Sequence, residues 1–490
     1  MRWDRGVVWL CALLTLVMAA YPLARACLRF EVGYNEGWNV YNASTVVHQF
    51  SAGRGLLYGA RPGWTTINYP MLSFVAVAAL ERVTHELLFA GRALSLLGLL
   101  GSCVLVGAIV RRLGGSARAA MLAGLYCLAV FCTDADAYVG QDDPQMLAQM
   151  FFLGGLLLYL WRRDSWAAIA GAAALFVVGG SIKHSPIEFP LTVLLELALI
   201  ARWRAVWFAV CGLVLAAVSV ALNVHFGGAY FVSQLLAPRS YSTDRALGHL
   251  LDVFGPLLLP FCVAVAMAWA VRKDRRRRIA ALLLVVSLAI GGYFGGGRGV
   301  SINMLFGAVV ATAMLLGLFW DEACAAKWRW LGREFAPLLL FGWLLIPWLL
   351  VPWIVTGDWN PAHRFRQDVA AEGRFAEETA FLRARSGPAL CESLLRCYVA
   401  GKPFVYDPFN ATRLIELHRL DATPMLEDLR RGRYAAVQFD EPIEQERQSE
   451  RWDPAILAAI EANYAAAVVN ADGEIYVPKA AAALPGAGRR

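Results

Sequence analysis

Five stretches of this 490-residue chain gather side chains suited to proton transfer or to holding phosphate. The first is Tyr34-Asn35-Glu36-Gly37-Trp38-Asn39. Glu36 has two readings: a general base, or a first-turn acid favoured by the positive end of a helix. The second is Asn68-Tyr69-Pro70, where proline can simply start a helix. The third holds four carboxylates, Asp134, Asp136, Asp142 and Asp143, with Gln141 beside the last two. Asp143-Pro144 reads as a helix cap, which accounts for one acid. Close like charges otherwise raise one another's pKa or call for a cation, so Asp142 and Asp143 are catalytic candidates and the residues to hold a divalent metal if there is one. The fourth is Ser181-Ile182-Lys183-His184-Ser185-Pro186. Its lysine either extends toward the membrane surface or offers phosphate a fixed charge. The fifth is Gly295-Gly296-Gly297-Arg298-Gly299, followed by Asn303. A glycine turn can present backbone N–H groups to an anion and Arg298 adds a fork of donors, although glycine also serves close helix contacts.

These residues must be positioned by apolar elements. Hydrophobic residues make up 58% of the chain and charged residues 17%, and mean hydropathy is +0.50. That composition excludes an ordinary soluble enzyme and a disordered chain. The net charge of +7 is no nucleic-acid signature, because no basic stripe is interleaved with aromatics. Residues 356–490 carry 17 Lys/Arg and 20 Asp/Glu, so charge concentrates beyond the last apolar run, near Val355. The expected division is a transmembrane domain over 1–355 and a soluble domain over 356–490.

A crossing needs about 20 apolar residues. Apolar runs fall at 7–24, 90–110, 117–133, 145–161, 166–182, 186–201, 205–224, 250–271, 279–295, 302–320 and 336–355, which predicts about eleven spans. The connecting pieces that would share the N-terminal side hold 18 Lys/Arg, and the opposite loops hold nine. The positive-inside rule then puts the N-terminus in the cytoplasm and the C-terminal domain outside a cell (inner or plasma) membrane. All five polar stretches fall on or just inside the external face. The first external loop, about 28–90, carries a Val40, Ala43, Val47, Phe50 stripe that predicts a helix lying in the interface, and 71–80 reads as a second interfacial or re-entrant segment.

In the tail, 389–393, 403–407, 435–439, 466–470 and 474–478 read as strands. Residues 366–385, 411–419, 423–431 and 454–463 read as helices, making a small α/β domain with a frayed end at 481–490. Outside the cytoplasm, Cys391 and Cys397 are able to form a disulfide; two buried thiols are the alternative.

The order of an acidic motif after the first span, an aromatic-proline segment, a span ending in Arg111-Arg112 and a second acidic loop resembles the GT-C superfamily of membrane glycosyltransferases. The branch is that of the protein mannosyltransferases and the lipid A aminoarabinose transferases. The resemblance covers the layout of residues 1–320 and rests on YNEGWN (34–39), NYPML (68–72), AGRALSLL (90–97) and GQDDPQMLA (140–148). It implies that the first-loop acid is the catalytic base, and that an acid of the second loop helps bind donor phosphate, sometimes through a divalent metal. Relatives often have Asp-Glu where this chain has Asn35-Glu36, so Glu36 inherits the base's role. The usual proline pair is reduced to Tyr69-Pro70.

The residues and the resemblance together predict an inverting transferase. It would move a hexosyl or pentosyl group from a polyprenyl-phosphate-linked donor to an envelope lipid, glycan or protein. Lys183, His184, Arg298 and Asn303 would hold the donor phosphate, and Tyr34, Asn35, Trp38, Asn68, Tyr69 and Pro70 would line the cleft. The competing reading is a multi-pass transporter or flippase of a lipid-linked or anionic substrate. It accommodates the same intramembrane charges, but the halves show no repeat.

Overall fold

The computed structural model describes residues 2–50, 57–59, 61–65, 67–325, 335–346, 361–449 and 451–479. The chain divides into two units, one of residues 1–26, 92–221 and 238–365, the other of 27–91, 222–237 and 366–490. The first external loop therefore groups with the tail, whereas a division near residue 355 would place it with the membrane helices. The expected boundary itself, and the frayed end at 481–490, lie outside the described residues.

In chain order the first helices are α1 (Arg2–Arg25), α2 (Asn35–Phe50), α3 (Leu72–Thr84), α4 (Leu87–Arg112), α5 (Ala117–Asp134), α6 (Gln145–Trp161), α7 (Trp166–Ile182) and α8 (Glu188–Ile200). They continue as α9 (Arg202–Gly227), α10 (Tyr230–Leu235), α11 (Thr243–Phe254), α12 (Leu258–Val271), α13 (Arg278–Phe294), α14 (Phe306–Ala325) and α15 (Ala336–Leu345).

The first unit is helix on helix. α1 packs on α5, α6 on α7, α8 on α13, and α14 on α5, α12 and α13. Ser116, Ser165 and Ser242 each accept a backbone N–H three residues on and so start α5, α7 and α11. Among the described residues, five helices are long and apolar enough to cross a membrane: Gly6–Arg25, Leu87–Arg112, Ala117–Asp134, Arg202–Gly227 and Ile302–Cys324. Helices α6, α7 and α13 are apolar and 17 residues long, near the short end of the spanning range of roughly 17–25. The expected span 250–271 is not one straight helix. It is broken between α11 and α12, which meet at a bend of 94°. Gly255-Pro256 supplies the cause, because proline lacks the N–H a continuous helix needs and restricts the residue before it. Of the expected span 336–355, residues 347–355 lie outside the described residues. Glu196 on α8 is fully buried but partnered: the Tyr159 hydroxyl donates to it at 2.8 Å and Arg163 lies at 3.2 Å.

The second unit contains α2, α3 and α10, and a four-stranded sheet made by β1 (Ala389–Cys391), β2 (Ala436–Phe439), β3 (Tyr464–Asn470) and β4 (Gly473–Pro478). The strand order is β1-β2-β4-β3. β1 and β2 are parallel, β4 runs antiparallel to β2, and β3 and β4 form a hairpin. Leu390, Val437 and Phe439 on the sheet, with Tyr406, Trp452, Ile456 and Ile460, build its core.

Expected strand 403–407 is absent. Its residues run extended into Asp407, whose N–H donates to the Trp64 carbonyl at 2.7 Å and whose side chain caps the next helix, Pro408–Glu416. A short helix, Leu394–Val399, was not foreseen. Cys391 and Cys397 are joined in a disulfide that ties it to β1.

Helix α2 is packed between α3 and the Leu394–Val399 helix. Residues 36–43 are all buried, so Asn39 and Asn42 on its polar side face protein as Val40 and Ala43 do. That differs from a helix that lies with one side in lipid and the other in water. Neighbours on two sides are the reason.

Candidate functional site

In the second unit, Glu36 sits at the start of α2 with no exposed surface. The chain turns back on itself before it: the Glu36 N–H donates to the Gly33 carbonyl at 2.9 Å, and the Val32 N–H donates to Glu36 Oε2 at 2.7 Å. That local loop fixes one carboxylate oxygen. The neighbours of Glu36 are held from the tail. Tyr34 Oη and Trp38 Nε1 donate to the two oxygens of Asp407, at 3.1 and 2.9 Å. Asn410 donates to the same carboxylate through its backbone N–H and its amide, at 3.1 and 2.7 Å. Burial raises the Asp407 pKa above the usual carboxylate value, and the bonds from Asn410, Tyr34 and Trp38 oppose the rise.

Trp38 packs edge-on against Tyr69 and Phe74, with ring centroids 4.8 and 5.6 Å away. The Tyr69 carbonyl lies 2.8 Å from the Tyr58 hydroxyl, and Asn223 Oδ1 accepts the Met71 N–H at 2.9 Å. These bonds anchor the Asn68-Tyr69-Pro70 segment beside α2. The cleft residues Tyr34, Asn35, Trp38, Asn68, Tyr69 and Pro70 thus belong to one unit with Glu36.

A further acid was missed. Glu31 precedes Glu36 by five residues, and its pKa is pushed well up, by burial first and then by Asp440. It places a second buried carboxyl group near the start of α2. Neither stands out in sequence: Glu31 of the first loop faces Asp440 of the tail, and Asp407 of the tail is bonded by Tyr34 and Trp38 of the first loop.

The first unit holds the remaining candidates. Lys183 Nζ lies 2.8 Å from Asp143 Oδ1, both side chains almost wholly buried. The same oxygen accepts the Gln145 N–H at 2.7 Å, so Asp143 both caps α6 and pairs with the lysine. Asn303 Nδ2 donates to Gln145 Oε1 at 2.9 Å, which joins Asn303 to this group. Asp142 is buried alongside in sequence. Asp134 and Asp136 are drawn off: Thr133 donates to Asp134 at 2.8 Å, and Arg364 pairs with Asp136 at 2.7 Å. The four-acid cluster read from sequence is therefore divided among separate partners.

His184 follows Lys183 and is depressed to about 4, by burial first and then by Arg239 and Lys183. It is neutral near pH 7, so the positive charges of the group are Lys183 and the arginines. Arg298 is buried, and its carbonyl accepts from Arg239 Nη1 at 2.9 Å.

The glycine turn is not an anion nest. The N–H groups of residues 295–298 and of Val300 all donate to backbone carbonyls. Its carbonyls point to donors instead, with Gly296 O accepting from Ser242 N at 2.9 Å and Arg245 Nη1 at 3.1 Å. The turn therefore organises arginines, and Arg239 and Arg245 are the residues that sequence reasoning overlooked. The segment 238–245, a loop that runs into the first turn of α11, carries no apolar period to draw notice.

A divalent metal at Asp142 and Asp143 does not fit this donor set. Lys183 and the Gln145 N–H already take Asp143 Oδ1, and no group of three or more His, Cys, Asp or Glu among the described residues is placed to hold an ion.

No family model and no curated protein matches the chain. Solved structures do. ArnT from Cupriavidus metallidurans in the apo state superposes with a TM-score of 0.65 at 15% identity, over 98% of this chain and 99% of that one. The same protein bound to undecaprenyl phosphate gives 0.59 at 16% identity, over 99% of both chains. The Archaeoglobus fulgidus oligosaccharyltransferase tethered to an acceptor peptide gives 0.54 at 13% identity, over 95% of this chain and 72% of that one. Both proteins are members of the GT-C superfamily. From its first helix to its C-terminal sheet, the chain has the fold of the GT-C membrane glycosyltransferases.

Proposed function

We propose that the chain is an integral-membrane, inverting glycosyltransferase that moves a hexosyl or pentosyl group from a polyprenyl-phosphate-linked donor to a lipid, glycan or protein of the cell envelope. The observation that carries the reading is Glu36. It is a wholly buried carboxylate, held through one oxygen by the Val32 N–H at the start of α2, in a chain whose fold matches one transferase crystallised with undecaprenyl phosphate. Glu36 takes the proton of the acceptor's hydroxyl or amine. The acceptor's oxygen or nitrogen bonds to the anomeric carbon as the bond from that carbon to the carrier's phosphate oxygen breaks. The configuration inverts and the carrier phosphate leaves as an anion. Lys183, Arg298 and Arg239 supply charge for that anion, Asn303 a neutral donor, and Asp143 orients the lysine. Asp142 acts with Asp143 in donor binding. The proposal includes about eleven spans, a cytoplasmic N-terminus, residues 356–490 as an extracytoplasmic domain, and chemistry on the extracytoplasmic face of the cell membrane.

The test is transfer of labelled sugar from a polyprenyl-phosphate donor by the purified chain in proteoliposomes. Glu36→Gln keeps the size and one hydrogen-bond acceptor but cannot take a proton. The expected loss is about a hundredfold or more in turnover, with the thermal midpoint unchanged. Unaltered turnover removes Glu36 as base. Substrate crossing the vesicle membrane with no donor consumed favours a transporter.

A further inference from the structure

The ends of α4, α6 and α8 meet the start of α13 around a cavity of about 400 Å³. Five arginines line it, Arg112, Arg163, Arg275, Arg276 and Arg278, against one acid, Asp164. Asp164 is already paired with Arg204. Five guanidinium groups so close would repel and splay in water, yet here two of them, Arg163 and Arg276, are braced by carbonyls. Arg163 donates from Nη1 to the Arg275 carbonyl at 2.9 Å and from Nη2 to the Arg276 carbonyl at 3.0 Å. Arg276 Nε donates to the Arg112 carbonyl at 2.8 Å. Buried Glu196 holds Arg163 from behind at 3.2 Å. Arg278 stands 3.7 Å from Glu196, beyond hydrogen-bond reach, and its Nε and Nη2 are buried with no hydrogen-bond partner among the described residues. A cluster of cations, partly fixed and with unused donors on Arg278, fits a phosphate oxyanion.

The depth of the cavity indicates where that phosphate comes from. Tryptophans stand exposed at the end of α6, the start of α9 and near the end of α12: Trp161 at 59%, Trp203 at 67% and Trp269 at 68%. Arg112 lies over the Trp161 ring, 4.6 Å from its centroid. Exposed tryptophan beside arginine at the end of an apolar helix marks headgroup level in a bilayer. Helix α6 begins next to Asp143 and ends at the cavity, so the two are about 25 Å apart along its axis. The cavity is a place distinct from the candidate donor residues.

We propose that this cavity binds the phosphate of an anionic phospholipid, at the end of the bundle away from Asp143. The full-length protein in detergent is titrated with cardiolipin, phosphatidylglycerol, phosphatidylcholine or inorganic phosphate, and followed by native mass spectrometry and thermal midpoint. The expected result is a retained anionic lipid and a raised midpoint with cardiolipin or phosphatidylglycerol, and neither with phosphatidylcholine. Arg112→Gln with Arg275→Gln should weaken that binding about tenfold or more. Both positions are exposed, so the lipid-free midpoint should hold. Equal response to phosphatidylcholine overturns the proposal, and so does undiminished binding in the folded double variant. Saturation by inorganic phosphate, with no added effect of lipid, also overturns it. The comparison between lipids uses the unaltered protein and stands even where the variant does not fold.

Discussion

At the scale of single residues, Asp407 is a buried acid that holds the neighbours of the proposed base, Glu36. Its carboxylate collects the Tyr34 hydroxyl, the Trp38 indole and two donors of Asn410. Asp407→Ala leaves the Trp38 N–H and Tyr34 O–H without their acceptor, at a cost of about 2–4 kcal/mol. The expected outcome is a lowered thermal midpoint and a lower turnover, with Asp407→Asn restoring part of both, because the amide oxygen still accepts one bond. His184 carries a prediction with a sign. Its folded value of about 4 lies below the ordinary 6.5, so between those values the unfolded chain binds more protons. Stability from this group is complete above about pH 6.5 and is lost as pH falls toward 4, by up to about 3 kcal/mol. His184→Gln should flatten that acid limb, as read by thermal unfolding in detergent from pH 7 to 4.

At the scale of elements, Gly37 couples α2 to the tail. A Cβ on Gly37 would overlap the backbone of Leu394 and Leu395 in the short helix that packs on α2. Backbone cannot swing aside as a flexible side chain can. Gly37→Ala should therefore cost about 2 kcal/mol or more, with turnover falling because Glu36 is the adjacent residue; unfolding and transfer assays on one preparation check both. Elements were legible where their cause is local. Long apolar runs alone give α5 and α7 to within a residue. What was not legible has non-local or competing causes. Gly255-Pro256 outweighs a continuous apolar run and bends it. Residues 403–407 have strand composition, yet Asp407 gives its N–H to Trp64 and its side chain to a helix cap. Asp407 reaches Trp38 across 369 residues of sequence. Arg239 and Arg245 gain meaning only from the carbonyls of the glycine turn they approach.

At the scale of the whole molecule, charge asymmetry and the Cys391–Cys397 bond make one argument about sides. Loops that would share the N-terminal side carry 18 of the 27 Lys/Arg assigned to loops, and the proposed odd number of spans would then export the tail. The disulfide between Cys391 and Cys397 closes a separation of only six residues; by chain entropy it stabilises the tail by about 2 kcal/mol, and it persists only in an oxidising compartment. Two independent measurements follow. Alkaline phosphatase joined after Arg490 should be active and a fluorescent protein joined there dark, since each matures on one side only. Denaturation of the membrane fraction in excess maleimide should leave Cys391 and Cys397 unmodified until a reductant is added. An inactive phosphatase with freely labelled Cys391 would put the tail in the cytoplasm. Glu36, which shares its unit with that tail, would then be deprived of an extracytoplasmic acceptor.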